Sequence, residues 1–243
     1  MGGITSLLKG TFNFIRWRLQ SVFREVLRAI KNRFYTYTDK SRITSPDTVY
    51  SEEYYAKRKS DEWHADAEQI AVTLDELFEP DSVIDFGCAI GQHLEYFHDQ
   101  DMTIYGVEGS EKALEHAVVP REHLEQFDLR DPYSSAQEYD LALCIEVAEH
   151  LAEPYSETLV DTVTDAAPVV FFTAATPGQS GRHHVNEQPR SYWIEKFNQR
   201  GYEYDEATVR TIRDELSLEV TTEIPENVFV FKQSNSDTDQ CQN

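Results

Sequence analysis

The chain is poor in cysteine and in basic residues, and it has no long apolar run. Three cysteines, Cys88, Cys144 and Cys241, in 243 residues are too few for a disulfide framework, and their spacing is not that of a metal site. Reduced thiols in a cytoplasmic setting are expected, and no metal centre. Lysine and arginine number 22 against 44 acidic residues, a net charge of -22. Phosphate contacts need clustered cations, so a nucleic-acid substrate gripped along its backbone is excluded. No apolar stretch reads as a membrane span or a signal peptide, and no repeat of solenoid period is present. The length suits one α/β domain with a modest extension.

The few basic residues are unevenly placed. Residues 1–34 hold seven of them, from Lys9 to Arg33, against Glu25 alone. Leu8, Phe12, Ile15, Leu19, Val22, Val26, Ile30 and Phe34 recur at steps of three and four, which predicts a basic amphipathic helix. Two dispositions stay open. The helix lies peripherally in the cytoplasmic membrane interface, with Trp17 and the phenylalanines as anchors, or it packs on the protein's own body or a second copy. Residues 35–62 read as a polar connector, and residues 233–243 as a disordered tail.

Between them, residues 63–232 alternate strand and helix. Strands are expected at 82–86, 103–108, 124–129, 139–145, 169–174, 202–204 and 227–232. Helices are expected at 63–78, 110–117, 147–164, 191–200 and 206–216. This order implies a doubly wound, mostly parallel seven-stranded sheet, whose ligands bind at the carboxyl edge.

Three features fall on that edge. Val83-Ile84-Asp85-Phe86-Gly87 ends a strand and turns through Ala89 to Gly91. Glu108 ends the next strand, where a carboxylate can accept from ribose hydroxyls. Asp128 and Leu129 end the third. Together with Glu146-Val147-Ala148-Glu149-His150-Leu151, the set resembles class I methyltransferases, which are Rossmann-like enzymes using S-adenosylmethionine (SAM). The resemblance implies that Asp85, Gly87, Gly91, Glu108, Asp128, Leu129 and Glu146 form the cofactor site. Ala89 departs from the family's glycine turn and narrows it. Glu149 and His150 are expected to serve structure. In many such enzymes the segment before the first strand closes over the ligand, which gives Tyr50, Tyr54, Tyr55 and Trp63 a possible task; packing a short helix is the alternative.

After the fifth strand, residues 176–190 resemble the G-x-x-H-V-N-x-Q loop of a methyltransferase subset, implying that His184, Asn186 and Gln188 face the acceptor. Arg182 and Arg190 add a local basic cluster that suits an anionic acceptor. The plainer reading is a solvated loop that caps the following helix. Dispersed acid with scarce lysine resembles proteins of salt-loving archaea. With the basic start and basic loop, the chain is similar to haloarchaeal hexuronic acid methyltransferases of S-layer N-glycosylation. That likeness implies a lipid-linked sugar acceptor; a soluble small-molecule O-methyltransferase and a non-catalytic SAM-binding subunit are the alternatives.

Overall fold

The computed structural model describes residues 44–179 and 181–234, with scattered positions between 18 and 42. Most of the N-terminal helix expected from the sequence, Cys241 and nearly all of the expected tail lie outside the described residues. Within them, the connector is helical. α1 (Pro46–Val49) starts on Ser45, whose N–H donates to Thr48 Oγ1 at 3.1 Å, with Pro46 in the first turn; proline there gives up no hydrogen bond. α2 (Glu52–Arg58) is capped by Ser51 and carries acid in its first turn and Lys57 and Arg58 in its last, which complements the helix dipole.

α3 (Asp61–Phe78) precedes β1 (Ser82–Phe86), α4 (Gln92–Asp99) and β2 (Thr103–Glu108). Then come α5 (Glu111–Glu115), β3 (Leu124–Gln126), β4 (Leu141–Cys144), α6 (Ser156–Ala166) and β5 (Val169–Thr173). α7 (Arg190–Asn198), β6 (Tyr202–Tyr204), α8 (Glu206–Glu215), α9 (Ile224–Asn227) and β7 (Val228–Gln233) complete the order. The sheet runs β3-β2-β1-β4-β5-β7-β6. Its strands are parallel except β7, which pairs antiparallel with β5 and β6.

Alternation along each strand sends side chains to two faces. Val83, Leu141, Leu143, Phe171 and Val230 pack with Ile70 and Leu74 of α3, Phe97 of α4 and Val209 of α8. Ile84, Phe86, Cys144, Phe172 and Phe229 pack with Leu159 of α6 and Trp193 and Phe197 of α7. A sheet covered on both faces is why these strands read as apolar runs. No helix among the described residues is long and apolar enough to cross a membrane.

Two elements differ most from expectation. β3 stops at Gln126, because Asp128 turns back to accept from Arg130 and from the Asp131 N–H. Of the expected helix 147–164, residues 156–164 are helical in α6, and two 3-10 turns, 148–150 and 153–155, come before it. Pro154 lacks an N–H and disfavours helix at the residue before it.

Candidate active site

The carboxyl ends of β1 to β4 surround a cavity of about 350 Å³. At its base, β1 runs into the glycine turn. Gly87 has φ +80°, and a Cβ there would lie 2.3 Å from Val147 Cγ2. Both the left-handed backbone and the close approach of Val147 require glycine. Ala89 also has positive φ, +50°, a conformation that costs an L-residue about 1–2 kcal/mol. Its N–H is turned to Glu108 Oε2 at 2.9 Å.

Glu108 is therefore fixed from two sides, since its other oxygen accepts from Ser110 N at 2.8 Å. Burial pushes its carboxyl upward, and the two backbone donors oppose that. Each oxygen keeps a lone pair for a ligand hydroxyl. Asp128 is gripped by the Arg130 guanidinium, with Nε 2.8 Å from Oδ1 and Nη2 2.6 Å from Oδ2. Burial acts to raise the Asp128 carboxyl, but these bonds hold it below the usual carboxylate range. Arg130 also donates to the Thr44 carbonyl and so ties the connector to the third strand end. Asp85 lies beneath the turn, 1% exposed, with Oδ2 unpartnered and His93 Nδ1 3.7 Å away.

Gly87, Glu108, Asp128, Leu129 and Glu146 line the one cavity, while Asp85 and Gly91 shape the turn from outside it. Gly91, φ +81°, begins α4 and makes room for Val119. Glu146 also has positive φ, +55°. Its N–H donates to Thr173 Oγ1, and its Oε1 accepts from Thr173 Oγ1 and Asn227 Nδ2. Hydrogen-bonded acids at or just beyond the ends of β2, β3 and β4 and a glycine cradle at the end of β1, all lining the cavity, fit a ligand with amino groups and ribose hydroxyls, as SAM has.

The 176–190 loop divides. Val185 and Asn186 donate their N–H groups to the Glu149 carbonyl. This brings His184 beside His150, ring centroids 5.1 Å apart and nearly perpendicular. Arg182 and His184 line the cavity. Asn186 is buried, donating to Ser156 Oγ at 3.0 Å and accepting from Gln188 Nε2 at 2.9 Å, so this pair braces the loop and lies off the cavity lining. Arg190 heads α7 instead. It donates to the carbonyls of Glu226 and Val228 and to the Tyr204 hydroxyl, with its guanidinium 3.8 Å over the Phe229 ring.

Residues from the connector and the start of α3, rather than that arginine, line more of the cavity. Tyr50, Tyr54 and Trp63 line it, and so does Arg58. The Arg58 guanidinium donates to Tyr54 Oη at 2.9 Å and stacks 4.7 Å from the Trp63 ring centre. Arg182 sits 5.5 Å over Tyr54. A cation among aromatic rings in so acidic a chain was the sequence signal for Arg58. His150, with Tyr50 Oη 3.4 Å from both ring nitrogens, is driven down to about 3 by burial and by His184. Glu149 is fully buried and pushed well above the carboxylate range, by burial first and by the Glu146 carboxylate next.

Comparison with known proteins agrees with this geometry. A family model described as a methyltransferase domain matches residues 55–223. No curated protein matches in sequence. Among solved structures, DesVI of Streptomyces venezuelae superposes with a TM-score of 0.58 at 16% identity, covering 75% of this chain and 96% of its own. A sugar N-methyltransferase from Streptoalloteichus gives 0.56 at 14%, with 76% and 93% covered. An amino pentose methyltransferase of calicheamicin biosynthesis from Micromonospora echinaspora, solved with SAM bound, gives 0.54 at 16%, with 75% and 96% covered.

Proposed function

The chain belongs to the methyltransferase-domain family, and from that premise we propose that it moves the methyl group of SAM to an anionic sugar, a hexuronic acid of a lipid-linked glycan. SAM supplies an electrophilic methyl on a sulfonium. The protein's part is to hold that group, orient the acceptor and exclude water. The observation that carries the reading is one cavity with two chemistries. Glu108 and Asp128 stand on one side, and Arg58, Arg182 and His184 on the other. The first pair suits a ribose and a base; the cations suit a carboxylate. That two of the superposed enzymes act on sugars supports a sugar acceptor.

The basic helical start suits a membrane-face acceptor. Its described apolar residues Phe23, Leu27, Ile30 and Phe34 are exposed and spaced along one helical face, as interfacial binding requires.

The test is steady-state kinetics with a uronic acid and with its neutral parent sugar. With the uronic acid, Arg182→Ala and Arg58→Ala should raise KM and lower kcat/KM about 10- to 100-fold, the worth of a charge-assisted contact. Neither variant should move SAM affinity. Equal kinetics with the neutral sugar would refute the anionic acceptor.

A further inference from the structure

Glu149, His150 and His184 do more than pack. Each offers one ligand atom, and these atoms lie within 4.8 Å of one another. The three are brought together by fold, not by local sequence. Glu149 and His150 sit on the 3-10 turn after β4, and His184 arrives on the loop pinned to the Glu149 carbonyl.

Glu149 is fully buried beside the Glu146 carboxylate, and neither of its carboxylate oxygens meets a well-aligned donor. A cation bound there would face these two oxygens, and no lysine or arginine forms an ion pair with Glu149 among the described residues. The imidazoles are arranged as ligands are. His150 Nδ1 lies 3.3 Å from the His183 carbonyl, so a proton there donates to that oxygen and leaves Nε2 as a lone pair. Glu187 Oε1 lies 3.6 Å from His184 Nδ1, an ion-pair distance longer than a hydrogen bond. A carbonyl partner such as that of His150 orients metal-bound histidines. Gly181 backs onto the His184 ring, where a Cβ would fall 2.0 Å from Nε2, so only glycine leaves that nitrogen room.

We propose that Glu149, His150 and His184 bind a divalent first-row transition ion at the acceptor end of the cavity. Two imidazoles and one carboxylate suit Mn²⁺, Co²⁺ or Zn²⁺ better than Mg²⁺ or Ca²⁺, which prefer oxygen alone. Three protein ligands leave positions open, and His150 and His184 line the cavity. The open positions therefore take acceptor oxygens, a carboxylate with its neighbouring hydroxyl. This role rests on the methyl-transfer reading; the ion site itself does not. His184 then serves as a ligand.

The test uses the full-length protein, stripped with chelator and titrated with Co²⁺ followed by its visible absorption, then with Mn²⁺ followed by loss of the free-ion EPR signal. One equivalent should bind. His150→Ala and His184→Ala should each weaken Co²⁺ binding by at least about tenfold, on the scale of losing an orienting or ligating group. Glu149→Gln should do the same, with circular dichroism to show that it folds. Glu108→Gln, on the cofactor side, should bind Co²⁺ normally. No uptake of either ion, or uptake unchanged in both histidine variants, overturns the site. Uptake that follows these ligands in a protein that transfers no methyl group would leave the site standing and refute the methyl-transfer reading.

Discussion

Glu108 illustrates how much one side chain can decide. Its two oxygens already accept from Ala89 and Ser110, so the carboxylate is held in place before any ligand arrives. In the cofactor role proposed for it, such preorganisation would let ribose hydroxyls meet a fixed acceptor at little entropic cost. Glu108→Gln keeps the shape but turns one acceptor into a donor facing a backbone N–H. SAM or S-adenosylhomocysteine affinity should fall about 10- to 100-fold, measured by calorimetry, and an unchanged affinity would remove Glu108 from the cofactor site. Arg190 makes the opposite case. The sequence places it among acceptor residues because it is a rare cation beside a polar loop. Its contacts are instead with Glu226, Val228, Tyr204 and Phe229, all brought near by the fold and none of them local in sequence. Arg190→Ala should cost about 1–3 kcal/mol in urea unfolding while KM for the acceptor stays within about twofold of wild type, the spread of context effects on a distant contact.

At the scale of elements, the strands were the readable part. A buried parallel strand is an apolar run between turn residues whatever packs on it, and β1, β2 and β6 begin and end where their side chains predict. Less legible were segments held by distant partners. In the connector, α1 is tied to the start of α5 by Asp47, which accepts from the Ser110 hydroxyl and the Lys112 N–H. Residues 217–221 depend on Asp66 of α3, which accepts from the N–H groups of Glu219, Val220 and Thr221 and from the Thr221 hydroxyl at 2.7–2.9 Å. Val220 and Thr221 reach the cavity wall, so Asp66, near the start of α3, supports the site through that segment. Burial works to raise the Asp66 carboxyl, and its four donors hold it below the free value. Asp205, which caps α8 and meets Lys232 at 2.9 Å, is lowered to about 2. A depressed carboxylate adds stability above its unfolded value, near pH 4, and that stability is lost as pH falls through the folded value. Asp66→Asn should therefore cost about 2–3 kcal/mol at pH 6. The gap to wild type should shrink between pH 4 and pH 2, read as urea midpoints. A gap that does not change with pH would mean that Asp66 acts by shape alone.

The whole molecule is governed by charge. Residues 35–243 hold 43 acidic against 15 basic residues. Ion pairs at the surface, such as Arg200 with Glu157 and Asp161 or Arg210 with Glu206, engage only a few of those acids. Exposed pairs are worth about 0–1 kcal/mol each, and salt weakens them. Self-repulsion of the remaining carboxylates is a longer-ranged sum that opposes the compact state, and salt weakens that too. The two effects have opposite signs, so the response to salt decides which is larger. Screening shortens from about 10 Å at 0.1 M to about 3 Å at 1 M, so most of the relief should come over that interval. With acids outnumbering bases nearly threefold beyond the N-terminal segment, repulsion should win. The thermal midpoint should climb steeply from 0.1 to 1 M potassium chloride and then more slowly. Removing residues 1–34, which carry most of the surplus positive charge, should steepen the climb, because the truncated chain is the more negative one. A midpoint that falls with salt in both chains would show that paired charges, not unpaired ones, set the stability, and the likeness to salt-adapted proteins would lose its physical basis.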